Sequence, residues 1–505
     1  MAWQLFLLLP FVSFFFLRRW IQKKKVNVEW PIIGTLPSLL ANVHRLHDWL
    51  TDILREKGCT DVHNTALLAQ PTIITCDPAN VTYIARTNFS NFNKGTHFSQ
   101  TFDALGDGVL TTDSDSWKAH RKMANAIVIH RSFRKFLAKT VQEKARNGLI
   151  PVLEHTSQQD MVVDLQDVFH RFTFDNACTL IFGADPGCLS IGFPTVPIAK
   201  AIYEGSEAII FRNVMPNFWW KFQRWLKIGE EKKLANAKEV IDNFIAHYIS
   251  VKREDLEKLG KAEAEDATDM LTSYMDYQCN DETGQLKSDK FLRDSVMNLL
   301  IAGKDTTSSA LTWFFWLISN NPSAETKIVE ELRSIVANVD SEREKKLSVL
   351  DVKNLSQLVY LNAALCESLR LYPAVPIVPR VALEADVLPS GHKICPGMMV
   401  YCSLYAMGRM EKIWGNDCME FKPERWIGED GTLSIEHSNK FLTFFTGPRT
   451  CLGKDIALTQ MKVVVAALLY NFHVQVVESQ PAAHEISVAL PKKNGLMVRV
   501  RERCG

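Results

Sequence analysis

Phe444-Phe445-Thr446-Gly447-Pro448-Arg449-Thr450-Cys451-Leu452-Gly453 brings aromatic rings, two glycines, one arginine and one cysteine into ten consecutive positions. Downstream, Ile456, Ala457, Met461, Val464, Val465 and Leu468 recur at helical spacing. The cysteine therefore sits in a glycine-bearing loop at the start of a long apolar helix. Helix starts present unpaired N–H groups and positive partial charge, and both favour a thiolate over a thiol. A thiolate in an aromatic-lined, water-poor loop suits an axial ligand of haem iron. On that reading Gly447 and Gly453 let the backbone approach a porphyrin, and Arg449 meets a propionate. The competing reading is a buried cysteine ahead of a core helix.

The chain has 505 residues, 47% of them hydrophobic, enough for a large core. Its formal charge is +1, so no global basic field points to nucleic acid. The 11 cysteines are odd in number and form no CxxC pairs, which argues against a disulfide framework and against a zinc site.

Residues 2–17 read AWQLFLLLPFVSFFFL, and Arg18, Arg19, Lys23, Lys24 and Lys25 follow at once. About 16 residues rise roughly 24 Å as a helix, short of the ~30 Å hydrocarbon core of a bilayer. A cleaved signal peptide is the alternative, but the charge lies on the wrong side of the apolar run and no small-x-small cleavage site follows. The expectation is a retained anchor with its basic flank over residues 1–25, and a catalytic domain over 26–505 facing the cytosol.

Further along, Leu46 to Arg55 has an amphipathic helical pattern, and Thr72 to Thr75 that of a strand. The spacing predicts a helix from Asp113 to Ile129, capped by Asp113 or Ser114, with Trp117 and Arg121 on one face. Helices are also expected over 133–154, 164–182, 196–211 and 229–254. Val214 to Trp225 reads as an unusually apolar loop, a candidate membrane-contacting surface or a piece of core. Glu254 to Asp269 reads as a charged linker.

A long helix from Asp289 to Asn320 is buried by Val296, Leu299, Leu300, Leu311, Phe314, Phe315 and Ile318. Gly303-Lys304-Asp305-Thr306-Thr307 interrupts its middle without breaking the apolar phase. The pattern predicts a local loosening of the i→i−4 ladder, opened by Gly303 and a threonine hydroxyl. Lys304 is expected to point outward. The helix from Leu358 to Leu371 carries Glu367 and Arg370 at i, i+3 and stops at Tyr372-Pro373. Short strands are expected around 380–402. Glu485 to Leu490 and Gly495 to Arg501 are expected to pair as a hairpin.

Taken together, these stretches resemble the cytochrome P450 family. The spacing of Phe444, Gly447, Arg449, Cys451 and Gly453 resembles its haem-ligand signature, and Ala302 to Thr307 its A-G-x-D-T-T motif. Glu367-x-x-Arg370 with Pro423-Glu424-Arg425-Trp426 resembles its E-x-x-R helix and P-E-R-F partner, with Trp426 in place of phenylalanine. Trp117-x-x-x-Arg121 resembles its W-x-x-x-R propionate contact, and the hinge Trp30-Pro31-Ile32-Ile33-Gly34 that of its microsomal members. The likeness spans essentially the whole chain.

The resemblance implies a mainly α fold with small β sheets, haem lying between the long central helix and the cysteine-ligand loop. It implies haem b as cofactor, with Cys451 as the axial ligand of its iron. Trp117, Arg121, Arg380, Phe444, Gly447, Arg449 and Gly453 are the other cofactor contacts. Thr306 would hydrogen-bond dioxygen and Asp305 would relay protons to it. Glu367, Arg370 and Arg425 would form a buried structural cluster. Phe98, Phe102, Ala302, Val375, Ile377 and Leu490 are the candidates for the substrate pocket.

No flavin-domain or dinucleotide fingerprint is visible, so electrons are expected from NADPH by way of a separate NADPH–cytochrome P450 reductase. Lys412, Lys440 and Lys454 are candidates for its docking face. The other expected partners are O2, an apolar small molecule and the endoplasmic reticulum membrane, with no nucleic acid. Within the family, the texture resembles the plant clan of fatty-acid and alkane hydroxylases. The nearest likeness is to the subgroup of midchain alkane hydroxylase and the phenol-coupling noroxomaritidine synthases. The implied activity is hydroxylation of a long-chain alkane or fatty acid, with oxidative phenol coupling in alkaloid biosynthesis as the alternative.

Overall fold

The computed structural model describes residues 34–63, 71–259, 269–277, 288–338, 352–434, 437, 439–477, 480–485 and 487–503. The expected anchor over 1–25 and most of the Trp30–Gly34 hinge lie outside them. Among the described residues, no helix is long and apolar enough to cross a membrane.

Nine helices carry the argument: α1 (Leu46–Lys57), α2 (Ser114–Ile129), α3 (Leu165–Phe182), α4 (Pro197–Val214), α5 (Asn217–Leu226), α6 (Gly229–Leu259), α7 (Asp289–Ser319), α8 (Val359–Leu371) and α9 (Lys454–Asn471). The strands are β1 (Thr60–His63), β2 (Thr72–Thr75), β3 (Phe92–Asn93), β4 (Val162–Asp164), β5 (Ile377–Ala382), β6 (Asp386–Val387), β7 (Lys393–Ile394), β8 (Met399–Ser403), β9 (Phe472–Val476) and β10 (Met497–Glu502). They form a five-stranded sheet in the order β1-β2-β8-β5-β3, a three-stranded sheet β4-β10-β9 and the pair β6-β7.

The helical body is built around α7, which is buried along most of its length. α3 lies against it, with the Phe169 and Phe315 rings 5.4 Å apart. A separate core joins α1 to the large sheet through Trp49, Ile53, Ile73 and Val400. The helix and strand expectations over 46–55, 72–75, 113–129, 164–182 and 229–254 fall on α1, β2, α2, α3 and α6, within a few residues at the ends.

Three expectations fail. The segment Val214 to Trp225 is not a loop: α5 occupies it, with Trp220 buried and Phe218, Trp219, Phe222 and Trp225 exposed. Its rings recur at helical spacing, a signal masked by an apolar content unusual for a surface element. The C-terminal hairpin does not form either. β10 pairs with β9 and β4 instead, and the isolated bridge in this region joins His484 to Lys492, on either side of 485–490. Third, α7 is one continuous α-helix from Asp289 to Ser319, with no break at Gly303. The hydroxyl half of that expectation holds: Thr306 Oγ1 donates to the Ala302 carbonyl at 2.8 Å.

The cluster at α8 ties the helical body to the cysteine side. Glu367 is fully buried and accepts from Arg370 Nε at 2.7 Å and Nη2 at 2.8 Å. It also accepts from Trp426 Nε1 at 2.9 Å, the Lys422 N–H at 3.1 Å and Arg425 Nε at 3.4 Å. Arg370 donates onward to the carbonyls of Gly408, Cys418 and Glu420. Removing one partner strands a buried charge, which typically costs about 3–5 kcal/mol. Glu367→Leu is therefore expected to lower unfolding free energy by about that amount, read by urea titration. A loss under about 1 kcal/mol, the range of a surface pair, would overturn the structural role.

Candidate active site

The ligand loop is drawn tight by its own backbone. A 3-10 turn spans Gly447–Arg449, the Thr450 N–H donates to the Gly447 carbonyl at 3.0 Å, and the Cys451 N–H donates to the Phe444 carbonyl at 2.9 Å. Gly447 has φ +71°, and a Cβ there would lie 2.0 Å from the Ala85 carbonyl oxygen. Its bareness thus serves packing against the Ala85–Arg86 backbone, and Gly447 does not line the cavity. This corrects its expected role as a cofactor contact. Gly453 does line the cavity and has nothing within 4 Å of where a Cβ would stand.

Cys451 opens into a cavity of about 460 Å³ that also reaches Thr306 and Asp305 of α7. Its thiol is accessible from that cavity while the surrounding protein keeps it from bulk water. Burial pushes the thiol pKa up, and this outweighs the lowering by the Gly453 N–H and the charges of Arg121 and Lys454. The net lowering expected from a helix start alone is therefore not reached in the protein by itself. α9 begins only at Lys454, three residues on. A cation bound at the sulfur would favour the thiolate, as it does for coordinating thiols.

Cations converge on one edge of this cavity. Lys94, Arg121, Arg380 and Arg449 all line it, as do Trp117 and Phe444. Trp117 is buried, and the Arg449 guanidinium lies 4.4 Å from its ring centroid. Arg449 Nη2 reaches Asp113 at 2.5 Å and the Thr112 carbonyl at 2.9 Å. Asp113 does not cap α2 with its side chain. It also accepts from the Lys94 N–H at 3.0 Å, tying this edge together. Burial, with repulsion from Arg380 and Arg121, pulls the Arg449 pKa down to about 10 despite Asp113. Burial, Arg380 and Arg449 likewise pull Lys94 well below its ordinary value.

Arg380 Nε and Arg449 Nε and Nη1 are buried without a hydrogen-bond partner. Buried guanidinium donors left bare next to like charges are costly. The edge fits a group that brings carboxylates to it, as the haem propionates do. Lys94 escaped the sequence reading because it lies in the stretch Lys94 to Thr112 without periodicity. A lone lysine there carries no motif.

The pocket candidates divide. Phe102, Ala302 and Val375 line the cavity; Phe98, Ile377 and Leu490 do not. Phe98 stacks behind Phe102 with centroids 4.4 Å apart. Side chains alternate along β5, so Val378 and Arg380 face the cavity and Ile377 is turned away. Leu490 is fully buried against Trp313, its carbonyl accepting from Trp313 Nε1 at 2.7 Å, and Ser487, Val488 and Ala489 line the cavity in its place. The remaining wall comes from α4, α6 and α7, notably Ile202, Ile209, Leu234, Ile241, Met297 and Ile301. These are ordinary core residues by periodicity, and only the meeting of three helices makes them a pocket.

Lys304 is buried, contrary to the outward placement expected, and its Nζ donates to Asp305 Oδ1 at 2.7 Å. A helix packed on both flanks leaves no outward side at that turn.

A mainly helical body, a cysteine loop beneath a central helix and a cationic edge between them define a haem-thiolate oxygenase. The cytochrome P450 family model matches residues 25–498, and this chain belongs to that family, as a monooxygenase of the oxidoreductases. It is 41% identical over 480 residues to noroxomaritidine synthase of Narcissus aff. pseudonarcissus MK-2014, covering 94% of this chain and 91% of that protein. It is 37% identical over 506 residues to alkane hydroxylase MAH1 of Arabidopsis thaliana, covering 99% and 98%. Cytochrome P450 86B1 of Arabidopsis thaliana is 40% identical over 490 residues, covering 95% and 87%. Among solved structures, the cytochrome P450DA heme domain superposes with a TM-score of 0.78 over 95% of this chain and 97% of that one, at 21% identity, a likeness of fold.

Cys451→Ser is expected to abolish the red-shifted Soret band of the ferrous–CO complex, measured by difference spectroscopy. An unchanged band would overturn the ligand assignment.

Proposed function

We propose that this monooxygenase hydroxylates a long-chain aliphatic substrate, an alkane or a fatty acid. The observation that carries the reading is the cavity wall over α7. It is formed mainly by aliphatic side chains of α4, α6 and α7, and Asp305 is the one carboxylate among the lining residues described. That carboxylate is already paired with Lys304. An apolar chain meets such a wall without stranding polar groups, whereas a protonated amine finds no free counter-charge.

The residues fit haem b held by Cys451, with Arg121, Arg380, Arg449, Lys94 and Trp117 around its propionates. When bound, the haem supplies the activation of dioxygen for insertion of one oxygen atom into a C–H bond. The overall balance is substrate C–H, O2, NADPH and one proton giving alcohol, water and NADP⁺. The aliphatic wall holds the chain and excludes water from the reacting end. Thr306 presents its hydroxyl to the cavity from the turn above Ala302. Asp305 holds or passes a proton beside it. Electrons enter from NADPH through a separate NADPH–cytochrome P450 reductase. The exposed Lys412 and Lys454, with Lys440 near them, support a basic docking face for it.

Membrane association belongs to the same proposal: an endoplasmic reticulum protein with residues 1–25 as anchor and the catalytic domain facing the cytosol. α5 supports a second contact. Phe218 is 72% exposed and Trp225 77%, with Lys221, Arg224 and Lys227 interspersed, the pattern of an interfacial helix. Trp220 turns inward, where Arg212 and Arg224 lie 4.9 and 5.0 Å from its ring.

A second reading, oxidative phenol coupling, is favoured by the 41% identity to noroxomaritidine synthase. Incubation with reductase, NADPH and either alkanes and fatty acids or phenolic amines separates the two, with products identified by mass. Aliphatic alcohols are the expected products; coupled phenols alone would overturn the leading reading. Thr306→Ala is expected to divert several-fold more NADPH into peroxide, and retained coupling would remove its role. Removing residues 1–25 is expected to weaken membrane binding, with the residue abolished by Phe218→Glu and Trp225→Glu. Full release without the α5 changes would remove that second contact.

A further inference from the structure

Lys304 fills the variable position of the Ala302–Thr307 motif, and His170 belongs to no motif that the monooxygenase assignment uses. The Lys304 side chain keeps 9% of its surface, and a buried ammonium requires a counter-charge. Its Nζ meets Asp305 Oδ1 at 2.7 Å. Its own carbonyl accepts from Thr173 Oγ1 of α3 at 2.8 Å and from Ser308 Oγ at 3.1 Å, so backbone and side chain are both held. From α3, His170 Nδ1 stands 3.5 Å from Asp305 Oδ1 and 2.9 Å from Ser308 Oγ. Ser308 Oγ directs its own hydrogen toward the Lys304 and Asp305 carbonyls, at 3.1 Å each, and so accepts from the ring. With the Asp305 carboxylate on the same side, this favours hydrogen on Nδ1. Asp305 lines the cavity, and 26% of its side chain and 29% of that of His170 remain accessible to water.

The charged groups facing His170 are Lys304 and Asp305 from α7 and Asp167 from α3. Burial and then Lys304 pull the imidazole pKa down to about 4, so the ring rests neutral. Burial opposes ionisation of Asp305, yet the Lys304 ammonium outweighs it and holds the carboxyl below its ordinary value. A carboxylate held this way is a resting base. It must be handed a proton before it can give one.

We propose that Lys304 is a positioning residue that keeps Asp305 ionised and turned toward α3, and that His170 is the inlet through which Asp305 is reprotonated. The ring takes a solvent proton at Nε2 as it releases one from Nδ1 to Asp305 Oδ1, so it is neutral before and after, and it returns to the Nδ1–H form by exchange with solvent at no net change in protons. Asp305 becomes the acid, passes its proton to the cavity beside the Thr306 hydroxyl and returns to the carboxylate. No electrons move among these groups. The proposal rests on the monooxygenase assignment and not on which substrate is bound.

Two measurements on the full chain test it. In thermal unfolding against pH, a carboxyl with a depressed folded pKa stabilises above its unfolded value of about 4 and loses that contribution as pH falls through the folded one. Lys304→Met is expected to lower Tm at neutral pH, with the deficit shrinking on acidification, and to cost much less in an Asp305→Asn background. Equal costs in both backgrounds would overturn the pairing.

In the second, NADPH consumption is followed with a separate reductase and dodecanoic acid, in H2O and D2O. His170→Gln, with an amide in place of the ring but no transferable proton, is expected to keep the ferrous–CO spectrum. It is expected to slow consumption several-fold and raise the solvent isotope effect, with no further change in the Asp305→Asn background. His170→Phe serves as the second variant. Wild-type rates and isotope effects in both would overturn the inlet. Failure of the fatty-acid reading appears separately, as a wild-type rate that dodecanoic acid does not raise.

Discussion

Glu367 is a carboxylate with no exposed surface, and much of the cysteine side hangs from it. A buried charge is tolerable only when its lone pairs are filled. Here the filling groups come from α8 itself, from the Pro423–Trp426 turn and from the Lys422 backbone. Arg370 extends the same demand outward by donating to three carbonyls in 408–420. At Gly408 a Cβ would meet the Arg370 carbonyl at 1.9 Å, so the two backbones touch. One ion pair therefore sets the path of a segment with little regular structure. Trp426, which donates to Glu367, in turn meets Phe441, three residues ahead of the loop carrying Cys451, with ring centroids 4.7 Å apart.

The opposite constraint operates at the cofactor edge. Lys94, Arg121, Arg380 and Arg449 are drawn together, with Asp113 as the carboxylate that holds the Arg449 guanidinium and the Lys94 backbone N–H. Like charges in a poorly solvated place are unfavourable on their own, and unpaired guanidinium N–H groups sharpen this. The protein is thereby biased toward binding a group with acidic arms. The same burial raises the Cys451 thiol, which is the other contact such a group must convert. A haem held there would relieve two costs of one site, the bare cationic edge and the buried thiol.

On the far side of the cavity the logic is local to α7. Gly303 and the Thr306 hydroxyl are accommodated inside a regular helix, since the hydroxyl closes on the Ala302 carbonyl rather than splitting the backbone. The more consequential departure is Lys304. Buried between α3 and α7, it fixes the charge state of the carboxylate next to Thr306, and so couples the packing of two helices to the acid–base chemistry of the cavity.

Spacing alone was enough to read Cys451, Asp305, Thr306, the Glu367–Arg370–Arg425 cluster and the Trp117–Arg121 face. Each lies within one turn or one short loop, where neighbours in sequence are neighbours in space. The helices α1, α2, α3 and α6 were legible for the same reason, as periodicity is a local property. The inward turn of Lys304, the Lys94 cation, the duty of Gly447 toward Ala85 and the division of Val378 from Ile377 were not legible. Each depends on which distant backbone lies opposite, and one residue of register moves a side chain from cavity to core. From the sequence the family could be recognised and Cys451, Asp305 and Thr306 singled out, and the structure brings those three to one cavity. What lines the cavity, and the burial that turns Lys304 onto its neighbour Asp305, follow from the fold, because both depend on which distant helix lies opposite.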